Sequence, residues 1–411
     1  MKRGWIGHGA AALAALLLIG TSGVTAAEKH KTAAPKGAAA RSASPVPSGA
    51  PSAPNAEFTT EARHAIIVEA ETGTVLFNKD ADERMPPASM SKMMTAYVVF
   101  GMLKSGKAKL TDELPVSAEA WKTGGSKMFV PVGGRISIDN LLQGMIVQSG
   151  NDSCIVLAEG LAGSQQAFVD LMNAKAKEIG LTNSHFADVD GLPDPNHWMT
   201  ARDLATLAWR TIRDFPEYYH YYSEKEFGFN NINQGNRNPL LYTTPGTDGL
   251  KTGHTDESGY SLTASVVRGD RHIIMVENGL PTMKARGQEG ERLVEWAFRE
   301  FADYKLFSAG DKIDDAETWL AQQPKVPLVV HRDVLVTMPR ASRKDMKVTA
   351  SYAKPIPAPV TQGQEVGKVT ITAPNVTPID VPLYAGASVA PIGTIGRMAT
   401  VAAYLIWGNR H

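Results

Sequence analysis

Ser89 and Lys92 are two residues of this 411-residue chain whose types and spacing could do covalent chemistry. A serine hydroxyl is a weak nucleophile at neutral pH and needs a base beside it. Residues three apart lie on one face of a helix, so the amine of Lys92 can reach the hydroxyl of Ser89. Apolar neighbours such as Met93 and Met94 would favour the neutral amine. The pair therefore predicts an activated serine, with a helix N-cap as the alternative role of Ser89.

Ser149 and Asn151 form a second candidate pair, separated by one glycine. The segment falls between two stretches with a helical pattern, where a turn is expected. A hydroxyl and an amide held at a turn can relay a proton and donate a hydrogen bond to a peptide carbonyl. The same residue types also make ordinary turns, so the pair is a weak signal by itself.

Lys251, Thr252 and Gly253 form the third motif and precede an apolar run over residues 259–267. A lysine and a threonine on a strand edge can hold a carboxylate. A glycine there would let a substrate backbone approach closely, although a strand-entry turn is the alternative. Each motif is weak alone, but their order and their contexts of helix start, inter-helix turn and strand together predict a serine acyl-transferase.

The elements that would carry these motifs follow from the apolar pattern of the chain. Residues 64–69 and 74–77 predict a hairpin, and residues 259–267 and 272–276 predict two more strands. Helical patterns cover residues 89–104, 138–148, 152–161, 165–178, 200–212 and 287–301. Strands at both ends with helices between them predict a sheet whose two halves come from distant segments, flanked by a helical cluster.

The two ends of the chain differ from the middle. A basic start and the apolar run of residues 10–19 predict a signal peptide over residues 1–27, with an uncleaved anchor as the alternative. Residues 28–57 are rich in Ala, Pro, Ser and Lys, which predicts a disordered linker. Short alternating runs over residues 311–387 predict a small all-β domain.

The C-terminal tail, residues 388–411, is apolar but interrupted by Arg397, and it ends near Trp407 and Arg410. It is too short and too interrupted to predict a membrane span. An amphipathic helix at the membrane surface fits this composition. A terminal helix packed on the β-domain is the alternative.

Charge and composition exclude several classes of function. Lys plus Arg and Asp plus Glu both number 42, so the formal net charge is zero and a nucleic-acid partner is not expected. Cys154 is the only cysteine, so the chain can form neither an intrachain disulfide nor a cysteine metal cage. We interpret Cys154 as a packed side chain, with a reactive thiol near the cleft as the alternative. The histidines show no H-E-x-x-H motif, and we expect no metal and no cofactor.

With these motifs the chain resembles the low-molecular-mass penicillin-binding proteins that are serine-type D-alanyl-D-alanine carboxypeptidases. The resemblance runs from about residue 58 to the C-terminus and includes the stretches PPASMSKMMTAYVV, GMIVQSGNDSCIVLAE, YYSEKEF, NRNPLL and DGLKTGHTDESGYSLTAS. It implies an α/β (α+β) penicillin-recognising, β-lactamase-like transpeptidase domain over residues 58–310. A small C-terminal all-β domain over residues 311–387 and an amphipathic anchor over residues 388–411 would follow.

The resemblance also implies roles for the motif residues. Ser89 would be the acylated nucleophile, Lys92 its base, and Ser149 and Asn151 the second wall of the cleft.

Lys251, Thr252 and Gly253 would bind the terminal carboxylate of the substrate. The backbone N–H groups of Ser89 and His254 would form the oxyanion hole. The His254 side chain either assists hydrolysis or has no catalytic role and only forms hydrogen bonds at the strand edge.

The roles of two arginines remain open from the sequence. Arg237 either helps orient the site or lies on the surface. Some family members carry an arginine soon after the next strand, but here that segment reads Asn-Gly-Leu-Pro, and Arg286 follows only further on. We therefore assign no role to Arg286 from the sequence.

The implied substrate is the peptidoglycan pentapeptide, with β-lactams as covalent inhibitors, and the implied location is the periplasmic face of the bacterial cytoplasmic membrane. A β-lactamase, or a DD-endopeptidase or transpeptidase of the same fold, is an alternative enzyme. The middle motif argues against a class A β-lactamase, because it reads Ser-Gly-Asn and not Ser-Asp-Asn. A wall-binding scaffold with a vestigial site is the non-enzymatic alternative.

Overall fold

The computed structural model describes residues 58–407. The predicted signal peptide (residues 1–27), the predicted linker (residues 28–57) and residues 408–411 of the predicted anchor lie outside the described residues. The helices of the described part are α1 Lys92–Lys104, α2 Ala118–Lys122, α3 Ile138–Ile146, α4 Asn151–Ala162, α5 Gln165–Glu178, α6 Ala201–Asp214, α7 Leu240–Thr243, α8 Met283–Glu300 and α9 Thr394–Trp407.

The strands are numbered in chain order through both sheets. They are β1 His64–Glu69, β2 Val75–Lys79, β3 Glu113–Pro115, β4 Arg135–Ser137, β5 Glu226–Phe229, β6 Ile232–Gly235, β7 Thr247–Thr255, β8 Gly259–Arg268, β9 Arg271–Leu280, β10 Phe301–Phe307, β11 Lys312–Trp319, β12 Lys325–Val329, β13 Val334–Pro339, β14 Lys347–Tyr352, β15 Ile356–Pro357, β16 Glu365–Ala373 and β17 Val376–Ala385.

A five-stranded antiparallel sheet forms the centre of the first domain, in the order β2-β1-β9-β8-β7. The N-terminal hairpin pairs with β9, so the prediction of a sheet built from distant segments is confirmed. Side chains alternate between two cores, as the period of a strand requires. Ile66 and Val276 face the helical cluster, whereas Ile67 and Met275 face α8.

Helix α1 lies in the middle of the helical cluster. It is buried on all sides, including Met93, Met94, Val99 and Phe100. A helix without a polar face is stable only when other elements cover it. A 3-10 turn over Ala88–Ser91 leads into α1, so the N-terminal end of this rigid helix is the place where Ser89 and Lys92 are held.

The C-terminal domain is all β apart from one short 3-10 turn and α9. Its six-stranded sheet has the order β14-β16-β17-β12-β11-β15, and β10 pairs with β13. Because β10 already pairs with β13, strand pairing of this domain begins before residue 311, where the sequence pattern placed the boundary. Its core consists of aliphatic side chains such as Val326, Leu328, Val369, Ile371 and Leu383.

Helix α9 ends the described chain and leaves large apolar side chains exposed, among them Ile395, Met398, Leu405 and Ile406. Among residues 58–407, no helix combines the length and the apolar character that crossing a bilayer requires.

Candidate active site

A strained turn precedes Ser89. Ala88 has a φ of 48°, in the left-handed region that non-glycine residues rarely occupy. Gly191 packs against this turn, and a Cβ atom there would lie 2.1 Å from the carbonyl oxygen of Ala88. Only glycine fits at residue 191, so the loop that contains it packs directly against the turn over Ala88–Ser91.

Lys92 connects the first motif to the second. Its Nζ atom lies 2.9 Å from Ser89 Oγ and 2.8 Å from Asn151 Oδ1, and it also donates to the carbonyl oxygen of Asp190. The side chain is 1% exposed, yet its partners are all oxygen atoms. The apolar environment expected from Met93 and Met94 is therefore wrong, because both methionines are buried in the core of the helical cluster while the Lys92 amine is met by polar groups.

Ser91, the other serine of the first motif, does not face the lysine. Its Oγ atom donates to the carbonyl oxygen of Ala88 at 3.0 Å, and the residue is fully buried. Ser89 is only partly buried, which leaves its hydroxyl open to a substrate.

The turn of the second motif differs from the glycine turn that the sequence suggested. Ser149 itself is left-handed, with a φ of 62°, whereas Gly150 has a φ of −62°. Gly150 is required for space, because a Cβ atom would lie 2.8 Å from both Asp152 Oδ1 and Ser153 Oγ. The turn places Asn151 at the first position of α4.

Asn151 is held on three sides. Its Nδ2 atom donates to the carbonyl oxygen of Gly124 at 2.9 Å, and its backbone N–H donates to that of Ser126 at 2.7 Å. Its Oδ1 atom accepts from Lys92. The loop over residues 123–130 therefore fixes the amide that contacts the lysine.

Asp152 anchors that loop. Its carboxylate accepts hydrogen bonds from the backbone N–H groups of Met128, Phe129 and Val130, at 3.0, 2.9 and 3.2 Å, and the residue is fully buried. No sequence motif pointed to Asp152, although it directly follows Asn151.

The third motif closes the site from the strand side. Lys251 lies on the edge strand β7, and its Nζ atom donates to Ser149 Oγ at 2.9 Å. Burial, together with the nearby positive charges of Lys92 and Arg237, holds the pKa of Lys251 well below its usual value. The three motifs thus form two linked pairs, Ser89 with Lys92 and Ser149 with Lys251, joined through Asn151.

Gly253 serves a purpose that the sequence did not reveal. A Cβ atom there would lie 2.8 Å from the carbonyl oxygen of Pro87 and 3.2 Å from Ala88 Cβ. The glycine therefore allows β7 to pack against the turn over Ala88–Ser91, and the close approach of a substrate backbone stays a prediction. Thr252 and His254 share one face of the strand, and the exposed His254 ring lies 3.9 Å from the Tyr260 ring.

Arg237 and Arg286 add two further cations beside this strand. The Nη2 atom of Arg286 donates to the carbonyl oxygen of Arg237 at 3.1 Å, and Arg237 donates to Ser126 Oγ. Both guanidinium groups contribute to the low pKa of Lys251, so their charges converge on one region. Since Arg286 is far from the motifs in sequence, only the fold shows that it belongs to the site.

Cys154 is fully buried, and its thiol donates to the carbonyl oxygen of Gly150 at 3.3 Å. Burial raises the pKa of this thiol far above its usual range. A packed cysteine, as the sequence suggested, agrees with these contacts.

The fold that brings a helix-borne serine, a buried amine and a cationic edge strand into contact is that of the penicillin-binding proteins. Residues 50–282 match the family model described as D-alanyl-D-alanine carboxypeptidase. Residues 301–391 match the model of the penicillin-binding protein 5 C-terminal domain. The chain therefore belongs to the D-alanyl-D-alanine carboxypeptidase family of peptidases. The predicted family, fold class and enzyme class are confirmed.

Individual relatives agree with this assignment. The chain is 41% identical over 333 residues to D-alanyl-D-alanine carboxypeptidase DacC of Escherichia coli (strain K12), covering 78% of this chain and 83% of that protein. Penicillin-binding protein 5 of Haemophilus influenzae superposes with a TM-score of 0.73 at 36% identity, over 81% of this chain and 98% of that one. The ampicillin-bound penicillin-binding protein D2 of Listeria monocytogenes has a TM-score of 0.55 at 28% identity, over 60% of this chain and 99% of that one.

Proposed function

We propose that the protein removes the terminal D-alanine from peptidoglycan pentapeptide stems through an acyl-enzyme on Ser89. The observation that carries this proposal is the hydrogen-bonded connection of all three motifs. Ser89, Lys92 and Asn151 form one continuous contact, and Lys251 bonds to Ser149 two residues away from Asn151. A nucleophile, two amines and a hydroxyl within one cleft are the groups that acyl transfer requires.

In the first step Ser89 Oγ attacks the carbonyl carbon of the penultimate D-alanine. Lys92 Nζ accepts the hydroxyl proton while the C–O bond forms. The backbone N–H groups of Ser89 and His254 stabilise the oxyanion. The C–N bond then breaks, and Ser149, supplied by Lys251, delivers a proton to the departing amine of D-alanine.

In the second step water attacks the ester on Ser89. The water gives one proton to Ser149 and Lys251, which restores that pair, and Lys92 returns its proton to Ser89 Oγ as the ester C–O bond breaks. The shortened peptide leaves as a carboxylic acid, which ionises in water. Lys92 serves both steps, and Asn151 orients its amine through the hydrogen bond to Oδ1.

The cations beside β7 explain selection for a C-terminal residue. Lys251, Arg237 and Arg286 contact carbonyl and hydroxyl oxygens, and no carboxylate bond to them is present among the described residues. Burial also lowers the pKa of Arg286. Lys251 and Arg286 are buried, Arg237 is exposed, and a group of cations bonded only to neutral oxygens is suited to an anionic ligand. We infer that it receives the terminal carboxylate of the substrate, together with Thr252.

The same site would accept β-lactams, which present a strained amide and a carboxylate. The Listeria relative is described in an ampicillin-bound form, which supports this inference. Penicillin would acylate Ser89 and remain as a slowly hydrolysed ester.

The test is to incubate the purified protein with a pentapeptide that ends in D-Ala-D-Ala and to measure free D-alanine. In parallel, mass spectrometry after incubation with penicillin should show an adduct on the peptide that contains Ser89. The Ser89→Ala variant should show neither. Absence of both D-alanine release and adduct in the wild type would contradict the proposal.

Two further measurements separate the alternative enzymes of the same fold. A transpeptidase would transfer the peptide to an added amine acceptor instead of to water. A β-lactamase would turn over a chromogenic cephalosporin rapidly instead of keeping it as an ester.

We also propose that the protein is exported and lies at the periplasmic face of the cytoplasmic membrane. Two features support this: the signal-peptide pattern of residues 1–27, and the exposed apolar side chains of α9. Such a helix fits the interface between lipid headgroups and acyl chains.

A further inference from the structure

Glu277 is a buried acid on the face of β9 that points away from the catalytic cleft. It is paired in register with Ala65 on β1 and with Leu262 on β8, and it is 0% exposed. Its neighbours on that face form the apolar core under α8. A carboxyl in such a place is unexpected, because an apolar side chain would serve the core better.

Both carboxyl oxygens of Glu277 are buried without a hydrogen-bond partner. The carboxyl lies against α8 at Gly290, where a Cβ atom would be 3.1 Å from Glu277 Oε1. Gly290 thus leaves room for the acid between sheet and helix. A buried polar group without a hydrogen-bond partner lowers the stability of the folded state. An acid that is kept at such a position therefore suggests a functional role.

Arg286 stands one helical turn before Gly290 on α8. It is 4% exposed, its Nη2 atom is bonded to the carbonyl oxygen of Arg237, and its Nε atom is buried without a partner. The charges of Glu277 and Arg286 influence each other's pKa, yet no hydrogen bond joins the two side chains. One guanidinium therefore lies between the cleft on one side and an unpaired acid on the other.

We propose that Glu277 is a positioning residue for Arg286. As a neutral acid it leaves the guanidinium in the cleft for the terminal carboxylate of the substrate, and as a carboxylate it draws the guanidinium out of the cleft. The inference rests on the proposed role of Arg286 in binding that carboxylate.

The groups around Glu277 support a neutral acid in the resting enzyme. Burial and the nearby Glu289 carboxylate raise the pKa of Glu277 well above its usual value, although Arg286 opposes them. Glu289 is itself paired with Arg292, with Nη2–Oε1 at 2.6 Å, so Arg292 is engaged elsewhere. The residues facing Glu277 from β1 and β8, Ala65 and Leu262, carry no charge. Arg286 is thus the cation that an ionised Glu277 would attract.

The experiment compares the pH dependence of KM and kcat for a D-Ala-D-Ala peptide in the wild type and in the Glu277→Gln variant. Above the pH at which Glu277 ionises, we expect the wild-type KM to rise by up to tenfold per pH unit, a rise that Glu277→Gln removes. The kcat profiles should stay alike, because Ser89 and Lys92 are untouched.

Glu289→Gln is the matched control. It removes an ion-paired carboxyl next to Gly290 and leaves Glu277 ionisable, so the rise in KM should remain. The rise should move to lower pH, because the Glu289 charge no longer raises the pKa of Glu277. Glu277→Met tests the same point with a side chain that fills the space without charge. It should behave like Glu277→Gln.

Stability provides a readout that does not depend on activity. A native acid with a raised pKa holds a proton that the unfolded chain has released above about pH 4.3. The folded state therefore loses stability as pH rises, until the native carboxyl ionises. Relative to Glu277→Gln, the unfolding equilibrium constant of the wild type should increase about tenfold per pH unit over this range.

Superimposable KM profiles in two active enzymes, or a stability difference without a pH slope, would overturn the role of Glu277. A wild type that releases no D-alanine at any pH is a separate outcome. It would overturn the proposed function, and the role of Arg286 with it.

Discussion

At the residue scale, the spacing of three between Ser89 and Lys92 is the feature on which the chemistry depends. The hydroxyl and the amine lie 2.9 Å apart on one face where the 3-10 turn over Ala88–Ser91 leads into α1. The other contacts of Lys92, to Asn151 and to the carbonyl of Asp190, come from segments far away in the sequence. The lysine is therefore positioned by its own helix and oriented by the fold.

Replacing Lys92 tests whether its amine acts as the base for Ser89. We expect Lys92→Ala to lower kcat/KM by about 10²–10⁴-fold, the range that a general base contributes. Penicillin acylation of Ser89 should slow by a similar factor, as measured by mass spectrometry over time. Ser91→Ala is the control, because Ser91 bonds to the carbonyl of Ala88 and not to the lysine. A Lys92→Ala enzyme that is acylated at the wild-type rate would exclude the lysine as base.

At the scale of elements, the loop over residues 123–130, which follows α2, packs against the second motif. Asp152, near the start of α4, accepts three backbone N–H groups of this loop. A carboxylate near a helix N-terminus is also favoured by the helix dipole. The loop in turn supplies the carbonyl groups of Gly124 and Ser126 that hold Asn151. One buried charge thus organises one wall of the cleft.

Asp152→Asn should therefore affect both stability and activity. Losing the charge weakens hydrogen bonds worth about 1.5–3 kcal/mol each when the acceptor is ionised, so we expect a loss of at least that size in the free energy of unfolding. The kcat/KM should fall as well, because Asn151 loses its support. Denaturant unfolding and D-alanine release measure the two effects. Asp170→Asn, on the exposed side of α5, should change neither.

At the scale of the whole molecule, a buried ionic group joins the two domains. Arg271 on β9 donates to Glu69 Oε2 at 3.0 and 2.8 Å and lies 4.0 Å from Asp303 of β10. Asp303 in turn accepts from Thr337 at 2.7 Å, and Thr337 contacts Thr72. Burial and the Asp303 charge raise the pKa of Glu69 to about 7 in spite of Arg271. The catalytic sheet and the β-domain are therefore connected by side chains from both.

The proposed membrane contact of α9 belongs to this scale as well. In the protein purified after export, Ile395→Glu combined with Leu405→Glu should weaken co-sedimentation with phospholipid vesicles at least tenfold. Each apolar side chain buried in lipid contributes about 1.5–3 kcal/mol, so their loss is sufficient for this effect. D-alanine release in solution should be unchanged. Val348→Glu, an exposed apolar position on the edge strand β14, is the control and should keep vesicle binding. Equal sedimentation of all variants would exclude α9 as the anchor.

The sequence by itself determined the three motifs, the hairpin at His64–Glu69, most helices to within a few residues, and the family. These follow from local periodicity and spacing, which depend on neighbours within one or two turns of chain. Short strands such as β5 and β6 were missed, because a strand of four residues carries too little pattern.

Only the tertiary structure decided the rest. Contacts such as those of Asp190 with Lys92, Gly253 with Pro87 and Arg286 with Arg237 join residues that are distant in the chain. Such contacts leave no periodic signal. The polar surroundings of Lys92 and the unpaired acid at Glu277 depend on which faces the fold brings together, and that is settled by packing of the whole sheet and helical cluster.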